Sequence, residues 1–305
     1  MSFKTVSPLL AGFLLAAFSA SVSPSKWGTQ QPKPASTNVL SRHYHAGEKI
    51  SYWMTGVNQG RHYEIRADGV VKKLPDGTYV EEYAWSNLTV EGTTVPLSAA
   101  SAAFRQTVSL DPKYRMSIPD LSRVQPGLIG PITDFLTFYS DLWLAARTGQ
   151  LNHAGDRFYF KYGKPSSWAD GMRVILGESS IDFDMTLAAV DQNTHTATLI
   201  VRHAPPAQPQ IKLPAEWMHA PVAGTPNNWV EVEKDKDGKY TAEVGRETFA
   251  VKIEVSLADG RILSGSIDNV VEAVERECTD SALTNCGTPS SEHIQRTIGL
   301  EAMGE

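Results

Sequence analysis

Hydrophobic and polar positions alternate along most of this chain, and a period of two predicts β-strands. The clearest stretch sets Tyr63 and Ile65 against His62, Glu64 and Arg66. Strands are expected over 48–57, 61–74, 78–90, 102–110, 157–162, 174–190, 194–203, 229–233, 240–244, 249–257, 262–274 and 294–300. Turn chemistry separates them. In Pro75-Asp76-Gly77-Thr78 the proline fixes φ and the glycine permits a positive one. Asp237-Gly238 and Asp259-Gly260 are hairpin signals. Pairing Leu74 with Thr78 would set Asp68 opposite Ala84 and His62 opposite Val90, with a bulge at Asp68-Gly69.

One segment carries the helical period instead. Ile132, Phe135, Leu136, Tyr139, Leu142, Trp143 and Ala146 follow a 3.6-residue spacing. This predicts a helix at about 131–148. Pro131 suits its first position, Gly149 its end, and Arg147 its last turn. Asp134 and Asp141 fall on the side away from the apolar stripe. Phe138 and Leu144 widen that stripe, so the helix should be buried on most sides.

Strands joined by short turns form antiparallel meanders. The fold class expected is mainly β: an antiparallel curved sheet or half-barrel with one packed α-helix. In architecture this resembles the β-clam of lipoprotein carriers. No residue motif carries the resemblance, so it transfers no functional residues.

The N-terminus adds a compartment. Lys4 precedes an apolar run from Pro8 to Phe18, and small residues Ser19, Ala20 and Ser21 follow. That order reads as a secretory signal peptide at 1–21, cleaved after Ser19 or Ser21. Pro, Ser and Gln dominate 22–41, which reads as a disordered tether. Residues 42–305 are then a single β-rich domain with a Pro-rich loop at 205–226. Six prolines exclude a central strand there. No later apolar run reaches the ~18 residues of a membrane-spanning helix. The expected location is secreted or periplasmic. Cys278 and Cys286 agree with export and read as one disulfide.

Charge narrows the partners. Lys+Arg 28 against Asp+Glu 34 gives a net charge of −6, and −7 once Lys4 is cut away. That balance argues against nucleic acid. The G-x-S-x-G, H-E-x-x-H, Walker and G-x-G-x-x-G patterns do not occur. A Ser-x-x-Lys match at Ser23–Lys26 falls in the tether, where no scaffold holds a nucleophile. Asn87-Leu88-Thr89 matches a glycosylation sequon. Glu233 to Gly238 has the start of a calcium loop but reads better as a polar hairpin tip. Asp182 and Asp184 share a strand face about 6–7 Å apart, a carboxylate pair that a solvent-facing strand explains equally well.

Two residue sets remain as candidate sites. His43 and His45 put two imidazoles on one face if extended, and His62 or Glu48 would have to complete a metal site. Tyr52, Trp53, Tyr83, Trp85 and Trp143 are candidates for lining a groove for an apolar or sugar ligand. The reading these support is a non-catalytic, exported β-rich protein. It would bind an apolar small molecule or lipid, or serve an envelope role, without a cofactor. The alternatives are a carbohydrate-binding module with exposed aromatics and a metal-dependent hydrolase using His43 and His45.

Overall fold

The computed structural model describes residues 38–58, 60–162, 165–168 and 173–304. The expected signal segment 1–21 and the tether as far as residue 37 lie outside the described residues. Strands β1 (Lys49–Asn58), β2 (Arg61–Lys73) and β3 (Tyr79–Val90) form an antiparallel meander, which β4 (Thr93–Thr94) extends. Helix α1 (Ala99–Ala103), β5 (Gln106–Val108) and helix α2 (Pro126–Thr148) follow. The chain continues through β6 (Arg157–Phe160), β7 (Pro165–Trp168), β8 (Val174–Ser180), β9 (Asp182–Asp191) and β10 (Thr196–Ala204). It ends with β11 (Trp229–Lys234), β12 (Tyr240–Ser256), β13 (Ile262–Cys278) and β14 (Ser290–Ala302).

All of these strands belong to one antiparallel sheet, with the path β4-β3-β2-β1-β14-β13-β12-β10-β9-β6. The path does not close into a barrel. β10 precedes the Pro-rich loop and pairs with β12 beyond it, so the loop does not divide the sheet. The loop packs instead on the lower half of β12. Ala215 and Met218 join Val230, Val232, Tyr240, Ala242 and Val244 in a second apolar cluster. The disulfide Cys278–Cys286 pins the next turn against that cluster.

Three expectations are corrected. The strand expected at 102–110 is replaced by α1 and the three residues of β5; Ser98 caps α1 by accepting from the Ser101 amide. The strand expected at 174–190 is two strands, because the chain changes partners at Ile181: β8 pairs with β11, while β9 pairs with β10. In the first hairpin Asp68 does face Ala84, but Tyr63 rather than His62 faces Val90. The register slips between Glu64 and Arg66, where Asn87 adopts a left-handed φ of 55°. Gly69 is not a bulge. It leaves room for the Tyr83 ring, which lies 2.3 Å from where a Cβ would stand.

Helix α2 begins five residues before the expected start. Pro126 takes the N-terminal position, where a missing N–H costs nothing, and Pro131 sits inside the helix. The helix lies against the concave face of the sheet. Tyr52, Met54, Ile65, Leu199, Val201, Val251, Ile253, Ile267, Ile298 and Leu300 form that face and are buried. Phe138 of α2 presses on Gly265 of β13, where its ring comes within 2.5 Å of a Cβ position.

Burial changes phase along β12. Tyr240, Ala242 and Val244 are buried under the Pro-rich loop, whereas Glu247, Phe249, Val251, Ile253 and Val255 are buried on the opposite face under α2. The strand also changes partners there. Residues 240–245 pair with β11 and 249–256 with β10, so the sheet forks.

Candidate functional site

Polar side chains interrupt the apolar phase of four adjacent strands. His203 follows Leu199 and Val201 on β10, Glu247 precedes Phe249 and Val251 on β12, Asn269 lies between Ile267 and Val271, and Arg296 between Ile294 and Ile298. Directly opposite residues share a face. The pairs Phe183–His203, His203–Phe249, Phe249–Asn269 and Asn269–Arg296 therefore form one row across the concave face.

Helix α2 meets this row with its two carboxylates. Asp134 accepts from Arg296 Nη2 at 2.6 Å and from the Tyr63 hydroxyl at 3.3 Å. Asp141 Oδ2 lies 2.8 Å from His203 Nε2. Asp134 and Asp141 are only 1% and 3% exposed, so the sequence-based placement away from the apolar stripe is corrected: these carboxylates face the sheet. Seven residues separate them, about 10 Å along a helix. Their partners stand on β14 and β10, three strand spacings or about 14 Å apart. The helix therefore runs across the strands.

Asp134 and Arg296 offset each other's burial. Burial raises the pKa of Asp134, and the Arg296 charge beside it pulls the other way. Burial pulls Arg296 down, but the Asp134 charge and hydrogen bond outweigh it and hold the guanidinium above its ordinary value. Glu247 is raised by burial and is only partly compensated by the bond it accepts from Asn269 Nδ2 at 2.9 Å. The phenyl rings of Phe183 and Phe249 pack on the His203 imidazole at 4.8 and 4.6 Å.

Asn228 closes the fork. Its Oδ1 accepts from the Glu247 amide at 2.8 Å, and its Nδ2 donates to the Ser180 carbonyl at 3.1 Å. These are backbone groups that lose a ladder partner where β12 changes neighbours. Beside it is a void of about 10 Å³ lined by Trp229, Glu247, Asn269, Val271, Ile294 and Arg296 among others, room for about a single water. Beyond the void the same face turns acidic: Glu231, Glu243 and Glu275 stand opposite one another on β11, β12 and β13. Burial, then the charges of Glu275, Glu292 and Glu233, push Glu243 up to about 8.

The other end of the concave face carries a second polar cluster. Glu81 is 1% exposed, and its Oε2 accepts from Tyr83 and Tyr139, both at 2.6 Å. Burial and the Glu81 charge raise both phenols well above their ordinary value. The Arg42 guanidinium is fully enclosed and bridges Glu48 at 2.7 Å, Glu81 at 3.4 Å and Asp259 at 3.7 Å. Glu81 lies on β3 and Asp259 in the β12–β13 turn. On a flat sheet these are four to five strand spacings apart, about 19–24 Å. One guanidinium reaches both because the sheet is strongly curled.

The sequence-derived candidates fall in different places. Tyr52, Tyr83 and Trp85 are in the core and surround Phe135 of α2 at ring distances of 4.7 to 5.7 Å. Trp53, on the opposite face of β1, is half-buried. Trp143 is half-buried with Arg147 stacked on it at 4.4 Å. These residues form no exposed row of rings. His43 and His45 are exposed, and among the described residues no group of three or more His, Cys, Asp or Glu is placed to hold a metal. Asp182 and Asp184 are buried rather than solvent-facing. Asp182 accepts from Tyr159 and from the Tyr162 amide, and Asp184 takes a bidentate bond from Arg157. Sequence reasoning missed Arg42, Glu81, Asp134, Asp141, His203, Glu247, Asn269 and Arg296 as a set.

No family model matches the chain, and no curated protein or solved structure matches it. The site consists of hydrogen-bonded polar pairs between a helix and a sheet. Among the described residues no helix is long and apolar enough to cross a membrane.

Proposed function

We propose that this is an exported, non-catalytic carrier of an apolar small molecule or lipid, with α2 as the cover of its binding face. The observation that supports this is the way α2 is held. It is inserted between β5 and β6 and takes no part in any strand ladder. Lifting it would break no sheet hydrogen bond. It would expose the apolar concave face, whose burial otherwise depends on the helix. Among the described residues polar side-chain bonds fix it: Asp134 to Arg296 and Tyr63, Asp141 to His203, Tyr139 to Glu81 and Tyr83, Gln106 Nε2 to the Ile132 carbonyl, Asn38 Nδ2 to the Ala146 carbonyl and Arg147 to the Pro112 carbonyl. Polar latches over an apolar face suit a helix that must both seat and release. Export is supported by the N-terminal pattern and by the disulfide Cys278–Cys286.

Titration of the full mature chain with a fluorescent fatty acid tests the reading. A saturable rise in emission that unlabelled lipid competes away is expected. No uptake over a micromolar range would leave a purely structural protein with a permanently filled interior.

A further inference from the structure

Two buried polar atoms under the first half of α2 have no hydrogen-bond partner among the described residues: the Trp85 indole Nε1 and the Gln106 amide Oε1. Trp85 is 3% exposed and Gln106 1%. Buried donors and acceptors are nearly always paired in folded proteins, so each exception points to something that occupies it. The two are neighbours on one face. Gln106 of β5 stands opposite Tyr83 of β3, and Trp85 lies two residues along that strand. Such diagonal positions are about 7–8 Å apart, close enough for one small group to touch both side chains. Both also touch α2. Gln106 Nε2 donates to the Ile132 carbonyl at 3.0 Å, and the Trp85 ring packs edge-on against Phe135 at 5.5 Å.

Polar groups of the same face are already bonded. The Tyr83 and Tyr139 hydroxyls are committed to Glu81, the Tyr52 hydroxyl to the Ile262 carbonyl, and the other half of the Gln106 amide to α2. What remains is one donor and one acceptor on the face that α2 covers. A hydroxyl is their complement: its oxygen accepts from the indole N–H while its proton goes to the Gln106 oxygen. A carboxylate, an ester or an ether accepts only, and leaves the Gln106 oxygen unsatisfied.

We infer that Trp85 and Gln106 anchor the head of an apolar ligand that carries a hydroxyl, such as a long-chain alcohol, with the chain lying along the concave face. This rests on the reading of α2 as a cover, and it names the ligand class for the same face. A site built to bond a hydroxyl rejects an analogue that lacks it far more strongly than an apolar pocket does.

The test is competition by dodecanol, its methyl ether and dodecane against a bound fluorescent probe on the full mature chain. Dodecanol is expected to bind at least tenfold more tightly than the ether or the alkane. Gln106→Met and Trp85→Phe should each erase that preference, so that the alcohol, the ether and the alkane compete alike on the variant. Two variants are used because the smaller ring of Trp85→Phe also leaves a void; Gln106→Met keeps the length of the side chain. If all three compounds bind the wild type alike, the anchor is wrong and the carrier reading stands. If none binds, the carrier reading falls and takes the anchor with it.

Discussion

At the scale of single residues, the site is written in the sequence as breaks in a pattern. His203, Glu247, Asn269 and Arg296 each occupy the apolar phase of a strand, between residues that are buried. Asp134 and Asp141 sit on a helix whose apolar stripe is too wide to leave a solvent side. A polar residue in such a position needs a buried partner. Spacing alone places Asp134 and Asp141 on a polar side, because it does not say which strands lie around the helix. Two outcomes follow. Asp134→Asn removes the counter-charge of a guanidinium that is 5% exposed at the side chain. Breaking a buried pair this way costs about 3–5 kcal/mol, measurable as a lower urea midpoint. Replacing both Asp134 and Arg296 with apolar residues of similar volume should cost much less. Glu243 supplies a pH dependence. Its folded value of about 8 lies above the ordinary 4.5, so the folded state keeps a proton that the unfolded chain releases in between. Its contribution is fully present below about 4.5 and is lost as pH rises toward 8. The slope is at most about 1.4 kcal/mol per pH unit. Glu243→Gln should flatten stability across that window; an unchanged slope would show that the carboxyl titrates normally.

At the scale of elements, strands with clean alternation and turn signals are legible, but the two expected at 240–244 and 249–257 are one strand, β12, which runs through the change of partners. β2, β3 and the Leu74–Thr78 turn follow from Pro75 and Gly77. What was not legible depended on partners. Nothing local marks Ile181 as the place where β8 ends and β9 joins another branch of the sheet. The five extra residues of α2 carry Gly127 and Gly130, poor helix formers that packing overrides. Core packing around α2 also sets an order of costs. Phe135 is wholly buried among Tyr52, Tyr83 and Trp85, so Phe135→Ala should cost about 3–5 kcal/mol. Trp143 is half-buried, and Trp143→Ala should cost clearly less in the same thermal or urea melt. Removing the disulfide with Cys278→Ser and Cys286→Ser should lower stability by about 2.5 kcal/mol by freeing a short loop in the unfolded chain.

At the scale of the whole molecule, period and turns gave a mainly β chain, and a curved sheet around one helix was legible from them. The degree of curling was not. It shows in Arg42, whose guanidinium joins β3 to the β12–β13 turn across the mouth of the bowl. Arg42→Gln leaves Glu81 buried without its cation, and should loosen that end more than the fork; faster hydrogen exchange in β3 than in β11 would record it. The two polar clusters, at Glu81 and at Arg296, bracket an apolar face that a single insert covers. The central claim is that this face takes a ligand when α2 moves. Native mass spectrometry of the gently isolated full chain tests it most directly. The account predicts a population carrying one added apolar molecule per chain, restored by incubation with lipid after stripping. A spectrum of bare chain alone, before and after such incubation, would contradict it.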